Sequence, residues 1–406
     1  MSNPRSDLSA TLQKKVWTLF FGASLLLCGD LISMPLIQGQ NKVSQAQAKT
    51  DLVDIWLGTG RAKVSKGIYH CLLNTKTGKL TDPELMAEVS GPGFLAMHPT
   101  GERLYAVGTL NEVPSVIAYE IRKDGSKVAL QYESSVPIGD GGAAHVAVNR
   151  SGSVLRTAQY GGGSVAIYRL DQEGRLLEQT GLIQHEGGSG VVENRQTAPH
   201  AHWVGFSPDQ RFAFVPDLGL DQVVIYKVDE DKVSLAPHGA ANVPPGGGPR
   251  HMKFHPNGRW IYVLNELALS VTVFDYDSQS GRMKAKQTLA SVPAEQLVRE
   301  KFASASEIRV HPNGRFLYSA NRGHDTITVY QIDQETGELT VVEREHIRGA
   351  TPRNFNLDPT ATWLIAAGQD SNTLASFEVD QADGRLIYNR SCVNAPNPIC
   401  VLFGHE

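Results

Sequence analysis

Short hydrophobic runs with a two-residue period alternate along the chain with tight turns rich in Gly, Pro and Asn. The run Ser270–Tyr276, with the sequence SVTVFDY, places apolar side chains on both of its faces, as a strand packed between two sheets requires. No stretch has a convincing helical period, although Ala294–Phe302 is compatible with one or two helical turns in an insertion. The pattern predicts an all-β protein.

The strands belong to a repeat of about fifty residues. Two copies are plain: MKFHPNGRWIYVLNELALSVTVFDYDSQSGRM starts at Met252 and IRVHPNGRFLYSANRGHDTITVYQIDQETGEL at Ile308. Weaker copies place the same turn at Pro99, Ser151, Pro208 and Pro359. Each copy offers four strands, as in His251–His255, Trp260–Leu264, Ser270–Tyr276 and Met283–Leu289. Four-stranded units with this period are typical of the blades of a β-propeller.

The two ends of the chain predict how the ring closes. Six complete units begin near Gly93, Ala143, Pro199, Pro249, Ala305 and Pro352. The segment before them holds only three strands, Leu52–Leu57, Gly67–Leu73 and Leu85–Val89, and the last segment, Pro398–Phe403, is a single strand. Together these four strands make a seventh blade, whose innermost strand comes from the C-terminus. We therefore expect one seven-bladed β-propeller domain over residues 49–406, with four antiparallel strands per blade.

The first 48 residues do not fit the repeat. Arg5, Lys14 and Lys15 precede the apolar run Val16–Cys28, which is shorter than the roughly 20 residues of a membrane span and is typical of a signal peptide. The sequence Ala46–Ala48 is a candidate cleavage site. We expect export to the periplasm or the medium, with no stable membrane insertion once the leader is removed. An uncleaved anchor or a misassigned start is the alternative, and the protein is cytoplasmic if the leader is not functional.

Composition narrows the class of partner. The 406 residues include 38 basic and 42 acidic side chains, a net charge of −4, so there is no basic field to attract nucleic acid. A hydrophobic fraction of 41% excludes a disordered chain, and four Cys exclude a disulfide scaffold. A closed propeller offers no obvious dimer surface, and we expect a monomer.

Blade geometry separates two sets of polar residues. The innermost strand A pairs antiparallel with strand B, so the start of A and the end of B lie on one face, beside the central channel. His98, His255 and His311 fall in the A-to-B turns, on the opposite face, and we interpret them as structural. The Gly-rich segments EGGSGVVENRQTAP and NVPPGGGPR lie on the channel face, where their backbone can approach a ligand closely.

Candidate site residues all lie on that channel face. They are His200, His202, Arg250, His251, Glu266, Glu307, Arg309, Asn321, Arg322, Arg353 and Asn354. Guanidinium groups hold carboxylates or phosphates bidentately and so indicate an anionic substrate, although some of these arginines are equally explained as partners of Glu266, Glu307 or Asp370. The histidines can transfer protons near neutral pH or can simply bond to backbone. Glu266 is either a base or the partner of Arg250.

Other chemistries have weak support. His200-x-His202 places two imidazoles on one side of a predicted strand, but no Asp or Glu stands beside them at ligand spacing, so we predict no metal site. The sequence contains no G-x-S-x-G, H-E-x-x-H or G-x-x-x-x-G-K-[ST] motif.

The repeat units resemble the seven-bladed lactonase family, that of the propeller-type 6-phosphogluconolactonases and the related carboxymuconate cyclases. The resemblance covers residues 52–403 and is carried by the HPNGR units, by PHAH, GPRH, SEIRVHP and TPRNF at the starts of strands, and by the final NPICVLF. It implies hydrolysis of a lactone, or the reverse reaction, without a metal or organic cofactor. In the cyclase branch a His, two Arg and a Glu are implicated, which correspond by motif to His202 (or His200), Arg250, Arg322 and Glu266.

We therefore expect a lactonase that converts a small anionic, sugar-derived lactone to its open-chain hydroxy acid. His202, Glu266, Arg250 and Arg322 are the predicted catalytic residues, and the other candidates are predicted to bind substrate. In this hypothesis the two arginines hold the substrate anion and stabilise the oxyanion, while His202 or Glu266 activates a water. The leader places a phosphorylated substrate in question, because sugar-phosphate lactones are cytoplasmic metabolites.

Two alternatives remain at the level of sequence. A lactonising cyclase acting on a muconate-type diacid would use the same residues, with the His or Glu as proton donor. A non-enzymatic propeller that binds protein or glycan would expose aromatic and apolar side chains on this face, where few stand besides Tyr160 and Trp203. We favour an enzyme.

Overall fold

A computed structural model describes residues 51–125, 127–297 and 302–404. In this part of the chain 28 β-strands form seven four-stranded antiparallel sheets. The helix α1, Ala294–Leu297, lies in the insertion where one or two helical turns were expected. None of the described helices has the length and apolar character needed to cross a membrane. The leader predicted for residues 1–48 lies outside the described residues.

The seven sheets are the predicted blades, and in blades 2 to 7 the strands run in chain order from the channel outward. Blade 1 is closed as expected by the C-terminal strand, and its order is β28-β1-β2-β3. Its strands are β1 (Leu52–Thr59), β2 (Gly67–Asn74), β3 (Glu84–Glu88) and β28 (Pro398–Phe403). Blade 2 contains β4 (Ser90–Met97), β5 (Arg103–Leu110), β6 (Val113–Asp124) and β7 (Lys127–Pro137). Blade 3 contains β8 (Ala143–Val148), β9 (Val154–Gln159), β10 (Ser164–Leu170) and β11 (Leu176–Gln184).

The remaining four blades follow the same order. Blade 4 contains β12 (Gly205–Phe206), β13 (Phe212–Asp217), β14 (Gln222–Asp229) and β15 (Ser234–Asn242). Blade 5 contains β16 (Pro249–Phe254), β17 (Trp260–Asn265), β18 (Ser270–Asp277) and β19 (Arg282–Ala290). Blade 6 contains β20 (Ser304–Val310), β21 (Phe316–Arg322), β22 (Thr326–Ile332) and β23 (Leu339–His346). Blade 7 contains β24 (Pro352–Leu357), β25 (Trp363–Gly368), β26 (Thr373–Val379) and β27 (Leu386–Asn394).

Packing between blades holds the ring together. The second strands of blades 3 to 7 are buried along their whole length, because a neighbouring blade covers each of their faces. Between blades 7 and 1, Ile55 and Leu57 pack with Trp363, Ile365 and Val401 in one buried cluster. A similar cluster lies in each of the six remaining interfaces between neighbouring blades. The core of the protein is therefore seven interfaces rather than one centre.

The turn histidines are structural, as predicted. Each donates from Nε2 to a backbone carbonyl in the corresponding turn of the next blade: His98 to Gly152 (3.2 Å), His255 to Gly314 (2.8 Å) and His311 to Ala361 (3.0 Å). The histidine of each HPNG or HPTG turn thus links adjacent blades, on the face opposite the channel entrance.

Blade 4 departs from the repeat. Its innermost strand was expected to begin near Pro199, and that expectation is wrong, because β12 contains only Gly205–Phe206. The partner strand offers a reason: the carbonyl of Pro216 accepts the His202 N–H (3.0 Å), but Pro216 has no N–H to return the bond. Residues 199–204 therefore form a loop that is pinned to β13 by an isolated bridge between Ala201 and Asp217.

Removal of the closing strand tests this architecture. A chain that ends at Asn397 loses β28, including the buried side chains of Cys400 and Val401. Because deletion of one large buried side chain costs about 2–5 kcal/mol, we expect the free energy of unfolding to fall by more than about 5 kcal/mol. Urea unfolding followed by circular dichroism measures this, with a chain that ends at Gly404 as the control. Equal midpoints for the two chains would contradict closure by β28.

Candidate active site

A cavity of about 690 Å³ opens on the face where strands A start and strands B end. Its charged and aromatic lining residues are Arg61, Tyr160, Arg195, His202, Glu266, Phe302, Arg322 and Arg353. A smaller cavity of about 90 Å³ adjoins it and is lined by Arg250 and His251 as well. His202 and Arg353 line both cavities, so they stand where the two meet.

Glu266 is the negative charge at the centre of this site. It follows β17 directly, and its backbone N–H donates to Gly248 (2.7 Å), which turns the chain with a positive φ of 63°. Its Oε1 lies 2.8 Å from Nη2 of Arg195 and 3.2 Å from Nη2 of Arg322. Its Oε2 lies 2.9 Å from Nε of Arg250. One buried carboxylate is therefore shared by three guanidinium groups.

This arrangement sets the protonation of Glu266. Burial alone would raise the pKa of the carboxyl group, but Arg322, Arg250 and Arg195 outweigh burial and lower the pKa to about 2. Glu266 is thus ionised across the physiological range and binds a proton weakly. Of the two roles considered for it, the geometry favours the partner of arginines over the base that activates water.

Arg195 reaches Glu266 from the Gly-rich insert before blade 4. Gln196 fastens this insert, because its side-chain N–H group donates to Oδ1 of Asp221 (2.6 Å) and to the carbonyl of Leu218 (2.9 Å). Asp221 also accepts the backbone N–H groups of Gly246 (2.7 Å) and Gly248 (2.8 Å) in the second Gly-rich segment. The two segments are therefore tied together beside the carboxylate that they surround.

His202 is carried by the loop that replaces the inner strand of blade 4. The side chain is 4% exposed, and its Nδ1 has no hydrogen-bond partner among the described residues. Its ring meets those of Tyr160 (5.4 Å) and His251 (5.3 Å) edge to face. Burial, with the nearby charge of Arg250, holds the pKa of His202 well below its usual value. The imidazole is accordingly neutral at pH 7.

The loop that carries His202 is held by Asp217. Its Oδ1 accepts the backbone N–H groups of His200 (2.7 Å), Gly219 (3.0 Å) and Leu220 (3.2 Å), and its Oδ2 lies 2.7 Å from Nδ1 of His185. These bonds replace the ladder that the missing strand would have supplied. A side-chain carboxylate thereby fixes the backbone that positions His202.

Below the cavity, Glu307 organises a second buried network. Its Oε1 accepts from Nδ1 of His251 (3.1 Å) and Nη1 of Arg309 (3.0 Å), and its Oε2 accepts from Nδ2 of Asn354. Asn354 in turn accepts the backbone N–H of Val401 (2.8 Å) in the closing strand. Burial disfavours the charge of Glu307, but Arg309 and His251 hold its pKa well below the usual value. The network joins blades 5, 6, 7 and 1.

His251 stands between the two carboxylate networks. Because Nδ1–H donates to Glu307, its Nε2 carries the lone pair, 3.3 Å from Nη1 of Arg250. Burial lowers the pKa of His251 to about 3, with Arg250 acting in the same direction and Glu307 opposing. His251 is therefore a neutral group that orients Arg250 in the smaller cavity.

Arg353 differs from the other predicted arginines. Arg250 and Arg322 pair with Glu266, and Arg309 pairs with Glu307. Arg353 forms no ion pair or hydrogen bond with any residue that the structure describes, although it lines both cavities. Its guanidinium group is therefore available to a ligand.

The predicted site residues divide by position. The cavities are lined by His202, Arg250, His251, Glu266, Arg322 and Arg353. Neither cavity is lined by His200, Glu307, Arg309, Asn321 or Asn354. His200 bonds the carbonyl of Tyr160 (2.7 Å) from behind, and Asn321 is bound to Thr326 (3.1 Å) and Thr328 (2.9 Å) inside blade 6. That these five residues contact substrate remains a prediction, because none of them lines either cavity.

Several site residues were not singled out from the sequence. Arg195 lines the larger cavity from an insert outside the repeat, and Arg61 lines it from the loop after β1 in blade 1. His145 packs against Trp203 (5.3 Å) and His251 (5.7 Å) at the base of the site. The Gly-rich insert was a usable signal for Arg195, because it contains one arginine on the expected face. His145 could have been identified from its position at the start of strand A in blade 3.

His200 and His202 do not form half of a metal site on a strand. They lie in a loop, and their side chains face different partners, the carbonyl of Tyr160 and the cavity. Within residues 51–404, as far as they are described, no group of three or more His, Cys, Asp or Glu side chains is arranged to hold a metal ion.

Comparisons with known proteins agree with this architecture. The family model described as "Lactonase, 7-bladed beta-propeller" matches residues 54–403. A 6-phosphogluconolactonase of Bacillus subtilis is 33% identical over 355 residues, which cover 86% of this chain and 98% of the relative. A 6-phosphogluconolactonase of Formosa agariphila is 32% identical over 313 residues, or 75% of this chain and 85% of the relative.

A solved structure is also similar. The periplasmic gluconolactonase of Pseudomonas aeruginosa superimposes with a TM-score of 0.81 at 28% sequence identity. The alignment covers 87% of this chain and 99% of that protein.

The variant Glu266→Gln tests the shared carboxylate. Loss of the charge leaves three guanidinium groups uncompensated in a buried site, and we expect a destabilisation of roughly 3–5 kcal/mol at pH 7. The folded-state pKa of about 2 lies below the ordinary 4.5, so the stabilisation is complete above about pH 5 and disappears as the pH falls toward 2. Urea unfolding at pH 7, 5 and 3 should therefore give a difference from wild type that shrinks on acidification. The exposed Glu335→Gln is the control, and a difference that is independent of pH would refute the assignment.

Proposed function

The chain belongs to the seven-bladed β-propeller lactonase family, and we propose that it opens an anionic sugar lactone in the arginine-lined cavity. As a member of the family it is a hydrolase that acts on the ester bond of lactones. The alternatives of a cyclase and of a non-enzymatic binding propeller are not favoured by its relatives.

The charge of the cavity carries the proposal on substrate class. Four arginines and one carboxylate line it: Arg61, Arg195, Arg322, Arg353 and Glu266. The excess of positive charge in a partly desolvated site attracts anions and disfavours cations. A volume of about 690 Å³ accommodates a six-carbon sugar acid with a further substituent. We therefore assign an acidic or phosphorylated sugar lactone as substrate.

His202 is the base in this proposal. It is neutral, it lines both cavities, and its loop is fixed by Asp217. An anionic substrate offsets the charge of Arg250, which raises the proton affinity of the imidazole when substrate is bound. Glu266, with its pKa of about 2, is assigned to hold the arginines instead.

The proposed reaction uses these groups in two steps. Water attacks the lactone carbonyl carbon as His202 takes one of its protons, and the carbonyl oxygen becomes an oxyanion beside Arg353 and Arg322. Collapse of the tetrahedral intermediate breaks the ring C–O bond, and the departing oxygen takes the proton back from His202. The product is a hydroxy carboxylate, and the second water proton is released to solvent as the acid ionises.

The residues that do not line the cavities are assigned to positioning. Glu307, Arg309 and Asn354 hold His251 and the inner strands, and His251 orients Arg250. His200 supports the ring of Tyr160, with which it stacks at 4.6 Å. Tyr160 in turn accepts a hydrogen bond from Arg195 (3.2 Å).

We place the protein outside the cytoplasm. Support comes from the signal-like leader and from the similarity to a periplasmic gluconolactonase. We also propose that it acts as a monomer, since its large apolar clusters are used between its own blades.

A lactone panel tests the proposed function. Protein without residues 1–48 is incubated with 6-phosphogluconolactone, gluconolactone and a muconolactone, and ring opening is followed by NMR and by pH-stat. We expect opening of a sugar lactone above the spontaneous rate, with the anionic lactone preferred. Turnover of none of the three would contradict the proposal and would favour a binding propeller.

The variant His202→Asn tests the base. We expect kcat/KM to fall by about 10²–10⁴-fold, because general base catalysis contributes a factor of this size. The pKa of His202 lies well below its usual value, so wild-type kcat/KM should stay level from pH 7 to 6 and decline only under more acidic conditions. The variant should lose this acidic decline, and the exposed His346→Asn should keep it. A wild-type decline centred above pH 6.5, or a fully active variant, would exclude His202.

A further inference from the structure

Arg61 lies at the rim of the site, apart from the buried arginines. It is in the loop after β1, and it lines both the cavity of about 690 Å³ and an outer cavity of about 420 Å³. Its side chain is exposed, whereas those of Arg250 and Arg322 are buried. Arg61 does not line the smaller cavity, which contains Arg250 and His251. The site therefore has an inner end at His202 and an outer end at Arg61.

The side chain of Arg61 is held in place. Its Nη2 donates to Oγ1 of Thr109 in blade 2 (2.8 Å). Its aliphatic part crosses Gly91, where a Cβ would stand 2.6 Å from Cγ of Arg61. Gly91 also has a positive φ of 54°, so a larger residue there would be strained as well as obstructive. Thr109 and Gly91 of blade 2 thus fix the direction in which the Arg61 side chain crosses the rim.

The loop that carries Arg61 is itself fastened. Gly60 donates its N–H to the carbonyl of Asn397 (3.0 Å), and Oγ1 of Thr59 bonds the carbonyl of Gly67 (2.6 Å) and the hydroxyl of Ser65 (2.5 Å). The backbone on both sides of the loop is therefore bound to blade 1. This lowers the entropy that Arg61 would lose on binding a ligand.

None of the described residues neutralises the charge of Arg61. It forms no ion pair with any residue that the structure describes, whereas Arg195, Arg250 and Arg322 share Glu266. A guanidinium group offers five N–H donors in a fork, and the bond to Thr109 uses one of its nitrogens. The others are free to bind the two oxygens of an anion.

We propose that Arg61 recognises a second anionic group on the substrate, a phosphate ester or a carboxylate at the end of the sugar remote from the lactone carbonyl. The inference rests on the proposed function, because it takes the carbonyl to lie at His202. Lys66 and Glu88 line the same outer cavity and offset each other, so Arg61 supplies its net positive charge. A phosphate and a carboxylate each offer two oxygens that one guanidinium group can bind bidentately, so the structure assigns their common chemistry.

Binding of open-chain products tests the proposal without relying on turnover. Isothermal titration calorimetry with 6-phosphogluconate, glucarate and gluconate gives the affinity for a terminal phosphate, a terminal carboxylate and a terminal hydroxyl. We expect wild-type protein to bind at least one of the two terminal anions 10-fold or more tightly than gluconate. The ligand that shows this preference identifies the source of the anion.

The variant Arg61→Gln should remove that preference. We expect its Kd for the preferred anion to rise by about 10- to 100-fold, the usual size of a charge-assisted hydrogen bond, and its Kd for gluconate to change less than 2-fold. Thr109→Val should act in the same direction with a smaller effect, because it frees the side chain without removing its charge. Arg169→Gln, which removes a partly exposed arginine of blade 3 that lines neither cavity, should bind all three ligands as wild type does.

The outcomes are distinct. Equal affinity of wild-type protein for the three ligands, or an unchanged preference in Arg61→Gln, would overturn the assignment of Arg61. Wild-type protein that prefers the terminal anion but opens no lactone would leave Arg61 as an anion site and would refute the proposed hydrolysis. Thermal unfolding of each variant shows that the comparison is between folded proteins.

Discussion

The site depends on one ionised carboxylate that three guanidinium groups share. Glu266 brings Arg195, Arg250 and Arg322 to one point, although they come from an insert and two blades. Burial and the charge of Arg322 lower the pKa of Arg250 to about 9, a sign of how unfavourable the cluster would be without its carboxylate. Three guanidinium groups and one carboxylate give this cluster a net positive charge. The carboxylate that holds the arginines together thus leaves enough positive charge to attract an anion.

The propeller provides the rigidity that this cluster requires, and it gives up regularity only where the site needs it. Blade 4 exchanges most of its inner strand for the loop that presents His202. Asp217 compensates by accepting three backbone N–H groups of that loop and its surroundings, while His185 binds its second oxygen. Glu307 and Asn354 likewise form hydrogen bonds that connect the inner strands to the closing strand. Buried polar groups therefore replace backbone ladders at the positions closest to the chemistry.

The fold was predictable because its determinants are local and repeated. The HPNG turns and the alternation of strands such as Ser270–Asp277 recur blade by blade, and the single strand left at the C-terminus required closure with β1. The site was predictable in part. Strand starts and ends identify the correct face, but not which side chains point into the cavity. Asn321 and Arg309 are on that face, yet Thr328 and Glu307 hold them in the scaffold. Arg195 comes from an insert that the repeat does not describe, and Arg61 follows β1 in the blade whose strands come from both ends of the chain.

The most direct test of the assigned site is a crystal structure of the protein with 6-phosphogluconate bound. We expect the ligand in the cavity between His202 and Arg61, with its carboxylate within hydrogen-bond distance of Arg353 or His202. Glu266 should remain between its three arginines without contacting the ligand's carboxylate. A ligand that lies outside this cavity, or whose carboxylate contacts neither Arg353 nor His202, would contradict the assignment of the site.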